Sequence, residues 1–158
     1  MSANYLSGVV KLSGSFKGEK IEIEFDCQAE EQLEPSLEDF EAQQEQDEDA
    51  ELEPKTGILF SAKIVKGNDA VLIGCTASDV LMINSVEILP NGKEKTDALY
   101  GGPVFDQLEE GVQKSFYEYL AERKIDDDLS YFVLSYSRDK EQREYVHWLK
   151  SVLSFVEK

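Results

Sequence analysis

The chain has one histidine and two cysteines among its 158 residues. That scarcity removes most of the raw material of catalysis and metal binding. No His-paired ligand set can form, and any Ser or Cys triad would have to run through His147 alone. Cys27 and Cys75 each sit in an alternating apolar run without CxxC spacing, so both are expected as reduced thiols on strands, with no disulfide. Long apolar runs are also missing. No stretch approaches the roughly 18 residues of a membrane-spanning helix, and no transmembrane segment is expected. The N-terminal residues lack the charged start and apolar stretch of a secretory signal. Met1 to Tyr5 is not Arg-rich, so any organelle-targeting peptide is expected outside the numbered residues. The deepest shortage is positive charge: 16 Lys and Arg stand against 33 Asp and Glu, a formal charge of −17. That balance argues against direct nucleic-acid binding through a basic surface. The aromatic residues follow core periodicities and are not interleaved with Lys and Arg as a single-strand binding surface requires.

What the chain has in excess is acid, concentrated in one place. Residues Glu30 to Pro54 hold 12 carboxylates and no Lys or Arg: Glu30, Glu31, Glu34, Glu38, Asp39, Glu41, Glu45, Asp47, Glu48, Asp49, Glu51 and Glu53. Such a block repels itself and buries too little apolar surface to offset its ordering entropy, so residues 30–54 are expected to form a mobile loop. Leu33, Leu37 and Phe40 have helical spacing after Pro35 and would allow a short amphipathic turn that docks on the fold. Asp47, Asp49 and Glu51 alternate like the first ligands of a calcium loop. Leu52 then stands where that loop needs Gly, and Ile58 where it needs its closing Glu, so no specific metal site is expected.

The rest of the chain reads as one domain. Val10 and Leu12, then Ile21, Ile23 and Phe25, alternate with polar residues around Lys17-Gly18-Glu19-Lys20, which predicts a hairpin. Ile58 to Val65, Val71 to Thr76 and Val80 to Leu89 predict further strands joined by turns at Lys66-Gly67-Asn68-Asp69 and Pro90-Asn91-Gly92, and Thr96 to Tyr100 another short one. Five or six such strands without intervening helices call for an antiparallel meander. From Pro103, as first helical residue, the period changes to about 3.6 through Phe105, Leu108, Val112, Phe116, Tyr119 and Leu120. A second helical region follows Asp126-Asp127-Asp128 through Leu129, Phe132, Val133 and Tyr136. A third carries Tyr145, Trp148, Leu149, Val152, Phe155 and Val156. An antiparallel sheet followed by two or three C-terminal helices makes an α+β fold. The last stripe is too apolar for the sheet alone to cover, so these six residues are expected at subunit contacts.

Three segments carry a resemblance. Tyr100-Gly101-Gly102-Pro103-Val104-Phe105-Asp106-Gln107-Leu108, Tyr119-Leu120-Ala121-Glu122-Arg123-Lys124-Ile125-Asp126 and the ending Glu144 to Val156 resemble the mitochondrial glycoprotein, or acidic matrix protein, family. Gly18-Glu19-Lys20-Ile21 through Phe25 is similar to that family's second strand, followed there too by an acidic loop. The likeness spans nearly the whole chain. It implies a twisted antiparallel sheet of about seven strands, a doughnut-like homotrimer with a strongly acidic face, and a mitochondrial matrix location. It also implies a helix before the first strand, packed beside the C-terminal helices. Nothing before Asn4 corresponds to it, and that helix is expected to be missing from this sequence.

Other chemistry finds little support. Gly101-Gly102-Pro103 lacks the spacing and Lys of a phosphate loop, and Ser13-Gly14-Ser15 lacks the pattern of a nucleophile elbow. Glu109-Glu110 and Asp126-Asp127-Asp128 are adjacent residues that point to different sides of a helix. No enzyme activity, cofactor or metal is expected. The resemblance implies basic partners, RNA-binding or ribosomal proteins, and a role in mitochondrial RNA processing, RNA editing included, or translation. The 12 carboxylates of residues 30–54 are the expected contact residues. Acidic ion buffering with calcium and a purely structural assembly role are the alternatives.

Overall fold

Alternation of apolar and polar residues builds one sheet. The computed structural model describes residues 8–35, 55–92, 94 and 99–158. Five strands, β1 (Val9–Phe16), β2 (Glu19–Leu33), β3 (Lys55–Lys66), β4 (Asp69–Ala77) and β5 (Leu81–Leu89), pair antiparallel in chain order. The β1–β2 hairpin turns on Lys17 and Gly18, both at positive φ (46° and 83°), the backbone that matches the twist of the flanking strands. Register follows the pattern: Phe25 lies opposite Phe60, Phe60 opposite Cys75, and Cys75 opposite Ile83. All four are buried on the face that the helices cover. Cys27 and Cys75 are free thiols in this core, and burial pushes both up, Cys75 to about 12.

Four expectations change. Among the described residues the strands number five, not about seven. Thr96–Ala98 lie outside the described residues, and Leu99 and Tyr100 are not strand. The chain instead passes close against β5 at Gly102, whose φ is 78° and where a Cβ would stand 2.6 Å from the carbonyl oxygen of Val86. This segment also explains the second change. Pro103 does not open a helix: Phe105–Gln107 makes a single 3-10 turn, and helix α1 begins only at Glu110 (Glu110–Glu122). Phe105 is buried in the core cluster, edge-on against Phe116 and Tyr117 of α1 at centroid distances of 5.9 and 6.0 Å, so the turn is tied into the core before the helix begins.

Third, the second and third helical regions are one 30-residue helix, α2 (Asp127–Val156). No Gly or Pro interrupts it, and at about 1.5 Å per residue it runs roughly 45 Å. Asp126 caps its start, accepting from the Leu129 amide. Fourth, Glu30 to Leu33 are not loop. They complete β2, pairing from Glu30 opposite Ile58 to Leu33 opposite Lys55 after a register shift beyond Phe25. Backbone pairing to β3 overrides the local charge here. Leu33 therefore does not open an amphipathic turn; Leu37 and Phe40 lie outside the described residues.

One corner locks helices to sheet. Arg123, just after α1, forms a two-pronged ion pair with Glu19 at the start of β2: Nε to Oε2 2.7 Å and Nη2 to Oε1 3.1 Å. The guanidinium lies 3.5 Å from the centre of the Tyr119 ring and 4.9 Å from that of Phe16. The hydrogen bond from Arg123 holds the Glu19 carboxyl below its ordinary value of 4.5, against the opposing effect of burial.

Candidate partner-binding surfaces

Six exposed acidic residues converge on one end of the sheet through its register. Glu30 lies opposite Ile58, Ile58 opposite Ala77, and Ala77 opposite Leu81. The Leu81 amide donates to Asp127 Oδ1 at 2.8 Å, and Ser130 Oγ donates to the Ser78 carbonyl at 2.8 Å. The root of the acidic segment, the β4–β5 turn and the start of α2 therefore share that end. Glu30, Glu31, Glu34, Asp79, Asp127 and Asp128 are all exposed there. Lys55 answers Asp79 at 3.3 Å. Glu31 is fixed by the Thr76 hydroxyl, which donates to it at 3.3 Å and accepts from Asn84 Nδ2 at 2.8 Å.

Leu33 and Lys55 are paired neighbours, so both ends of the intervening segment are held side by side at this rim. Of the 12 predicted contact carboxylates, Glu30, Glu31 and Glu34 are on the described rim. Glu38, Asp39, Glu41, Glu45, Asp47, Glu48, Asp49, Glu51 and Glu53 lie outside the described residues. Sequence reasoning took Asp126-Asp127-Asp128 only as a helix start and did not connect it with this rim, since only the long-range register shows the proximity. Ile58, the place where a calcium loop would need its Glu, is a buried core residue of β3.

The second surface is the far half of α2. One side of the first half is core: Ser130 and Val133 are fully buried and Ser137 nearly so, while Tyr131 and the predicted stripe residue Phe132 are exposed. Beyond it Tyr145, Trp148, Leu149, Val152, Phe155 and Val156 are all exposed, with Phe155 at 75%. Leu153 joins them. At 100° per residue these apolar positions cover about half the helix circumference, wider than the single core-facing stripe of a surface helix. The sheet of this chain does not cover them. His147 is exposed on the same helix. No described helix is long and apolar enough to cross a membrane.

Between the two halves of α2 the helix bridges a groove of about 240 Å³ over the start of β1 and the middle of β2. Cys27 and Gln28 form one side, and Lys140, Glu144, Tyr145 and Trp148 the other. The Tyr145 and Trp148 rings stack at 24° with centroids 6.2 Å apart.

The profile of the mitochondrial glycoprotein family, MAM33, matches residues 4–156. The chain belongs to this family. Among curated proteins, the mitochondrial acidic protein mam33 of Schizosaccharomyces pombe is 39% identical over 80 residues, 51% of this chain and 29% of the relative. An uncharacterized mitochondrial protein of Arabidopsis thaliana is 34% identical over 80 residues, 50% of this chain and 32% of the relative. The matches thus span less than a third of the relatives' own length. Among solved structures, a Leishmania major protein of unknown function, described as a homologue of human p32, superposes with a TM-score of 0.72 at 20% identity. The likeness covers 94% of this chain and 76% of that one. The p22 protein of Trypanosoma brucei gives a TM-score of 0.71 at 22% identity, covering 94% and 82%. This MAM33-family chain therefore has the p32-like α+β fold, a five-stranded antiparallel sheet with C-terminal helices.

Proposed function

We propose that this MAM33-family chain is a non-enzymatic acidic adaptor of the mitochondrial matrix. It binds basic proteins, RNA-binding or ribosomal ones, and thereby modulates mitochondrial RNA processing, editing included, or translation. The observation that carries the reading is the concentration of carboxylates in residues 30–54 and their rooting at a sheet end that already presents Asp79, Asp127 and Asp128. The names of the curated relatives, mitochondrial in both cases and acidic in one, agree with it.

The mechanism is competition by charge. A dense acidic rim accelerates encounter with Lys- and Arg-rich surfaces and occupies them in place of RNA. Single exposed ion pairs contribute about 0–1 kcal/mol, so the effect needs many carboxylates together and weakens with salt. The exposed apolar half of α2 supports a homotrimer in which Tyr145, Trp148, Leu149, Val152, Phe155 and Val156 are covered by neighbouring copies.

Affinity capture from a mitochondrial extract tests the adaptor reading. The full chain is compared with one lacking residues 36–54, which leaves β2 and β3 whole, at low and high salt. Basic RNA-binding and ribosomal proteins should be retained by the full chain at low salt and lost from the shortened one. Retention by both forms, at both salts, contradicts the charge mechanism.

A further inference from the structure

At the end of the sheet opposite the acidic rim, one core-facing row runs out from under the helices. Ile21 lies opposite Ile64, Ile64 opposite Val71, and Val71 opposite Ile88, so all four share a face. Ile21 and Ile64 are core residues at 7% and 1% exposed, Val71 is half-buried against them, and Ile88 is 59% exposed. The neighbouring row of Ile23, Ala62, Ile73 and Val86 has no such open end; its last member is half-buried. Tyr119, near the end of α1, lines a groove of about 400 Å³ together with Ile64, Ala70, Val71, Ile88 and Pro90. The Arg123 guanidinium stacks 3.5 Å from the centre of the Tyr119 ring and fixes that wall.

Two charged residues complete the lining, Lys66 and Asp69. Asp69 Oδ1 accepts from the Asn91 amide at 3.0 Å. Lys66 Nζ stands 3.8 Å from Glu19 Oε1, beyond hydrogen-bond distance, and both Glu19 oxygens already accept from Arg123. The Lys66 side chain is 82% exposed, so its ammonium has donors to offer a further anion. We infer that this groove binds a single-chain amphipathic anion, a medium-chain carboxylate, with its tail on Ile64, Val71, Ile88 and Tyr119 and its head at Lys66. The site is separate from the acidic rim and does not rest on the adaptor reading. A cationic head would meet Lys66 and the Arg123 stack. A volume of about 400 Å³ lies near the lower end of small-ligand sites, roughly 300–1,000 Å³, and is too small for a partner helix.

Methyl NMR of the full chain with labelled isoleucine reads the groove directly, because Ile64 and Ile88 line it while Ile23, Ile73 and Ile83 lie in covered rows. Octanoate, kept below its micelle concentration, should shift the Ile64 and Ile88 methyls saturably. Its half-saturation concentration should lie about tenfold below that of hexanoate, for two methylenes fewer, and about threefold below that of octanol, with octylammonium weakest. Ile88→Asn, at an exposed position, should abolish the Ile64 shift with the Ile73 and Ile83 resonances unmoved. Lys66→Gln should bring octanoate and octanol level. Absence of a saturable shift at Ile64 and Ile88 overturns the site. Octanol binding as tightly as octanoate, or a carboxylate preference that survives Lys66→Gln, overturns the assignment of the head. Ile64 and Ile88 shifts that move with protein concentration alone put a second copy in the groove and overturn the small-ligand inference as well.

Discussion

The two halves of α2 share one uninterrupted helix and have opposite fates. In the first half Ser130 and Val133 are fully buried, Ser130 Oγ closes the Ser78 carbonyl at 2.8 Å, and Tyr136 meets Phe25 edge-on at 6.2 Å. In the second half, residues just as apolar face outward, Val152 at 40% and Phe155 at 75% exposed. Composition does not separate these halves; position does, because Leu129, Val133, Leu134 and Tyr136 join the core cluster and no residue of the helix beyond Tyr136 does. One side of the first half is therefore core, whereas every residue from Tyr145 to Val156 is exposed. The acidic rim makes the same point in charge, since it too is anchored by core elements and directed away from them.

The sharpest way to break this comparison is at the corner that sets where α2 begins. Arg123→Met leaves the buried Glu19 carboxylate with only the more distant Lys66 ammonium, at 3.8 Å, and should destabilise the chain by about 3 kcal/mol in a denaturant melt. Val133→Ala opens a cavity in the covered half and should cost about 2 kcal/mol. Asp126→Ala removes the cap, with an expected loss of about 1 kcal/mol. Val152→Ala, in the uncovered half, should change the unfolding free energy by less than about 0.5 kcal/mol in dilute protein. Val152→Asp should instead shift light-scattering mass from three copies of the 17.9 kDa chain toward one. A large loss of stability in dilute Val152→Ala would mean that the two halves are not different after all.

Acid sharpens the corner further. The folded value of Glu19 is depressed below 4.5, so its contribution is present above that pH and is lost as pH falls through the depressed folded value. Glu19→Gln should accordingly cost most stability near neutrality and progressively less below pH 4.5, read from melts across that range. A cost independent of pH would show that packing, not the ion pair, holds the corner.

Much of the fold was legible because period and turn chemistry agree. Ile21, Ile23 and Phe25 alternate as strand residues must, Lys17-Gly18 supplies the two positive φ angles of a tight hairpin, and Asp126 caps as its side chain suggests. The failures occurred where long-range contacts overrode local pattern. Glu30 to Leu33 looked like loop by charge, yet β3 pairs with it and Thr76 satisfies Glu31. Pro103 looked like a helix start, yet Gly102 lies close against Val86 of β5 and Phe105 is buried against Phe116. The apolar stripes ending at Tyr136 and beginning at Tyr145 read as two helices, although the absence of Gly and Pro allowed one helix throughout. The groove was not legible at all, since Cys27 and Trp148 meet only through the crossing of α2 over β2.

The central claim is that the carboxylates of residues 30–54 confer binding to basic proteins. The measurement that tests it most directly is the affinity of one captured basic ribosomal protein for two forms of the chain. One is the parent; in the other, Glu38, Asp39, Glu41, Glu45, Asp47, Glu48, Asp49, Glu51 and Glu53 are changed to their amides. Both are measured at about 0.01 M and about 0.15 M salt, between which the Debye length falls from roughly 30 to 8 Å. The account predicts tight, steeply salt-dependent binding by the parent, and weak binding with a shallow salt dependence by the amide form. Equal affinities and equal salt slopes would contradict it.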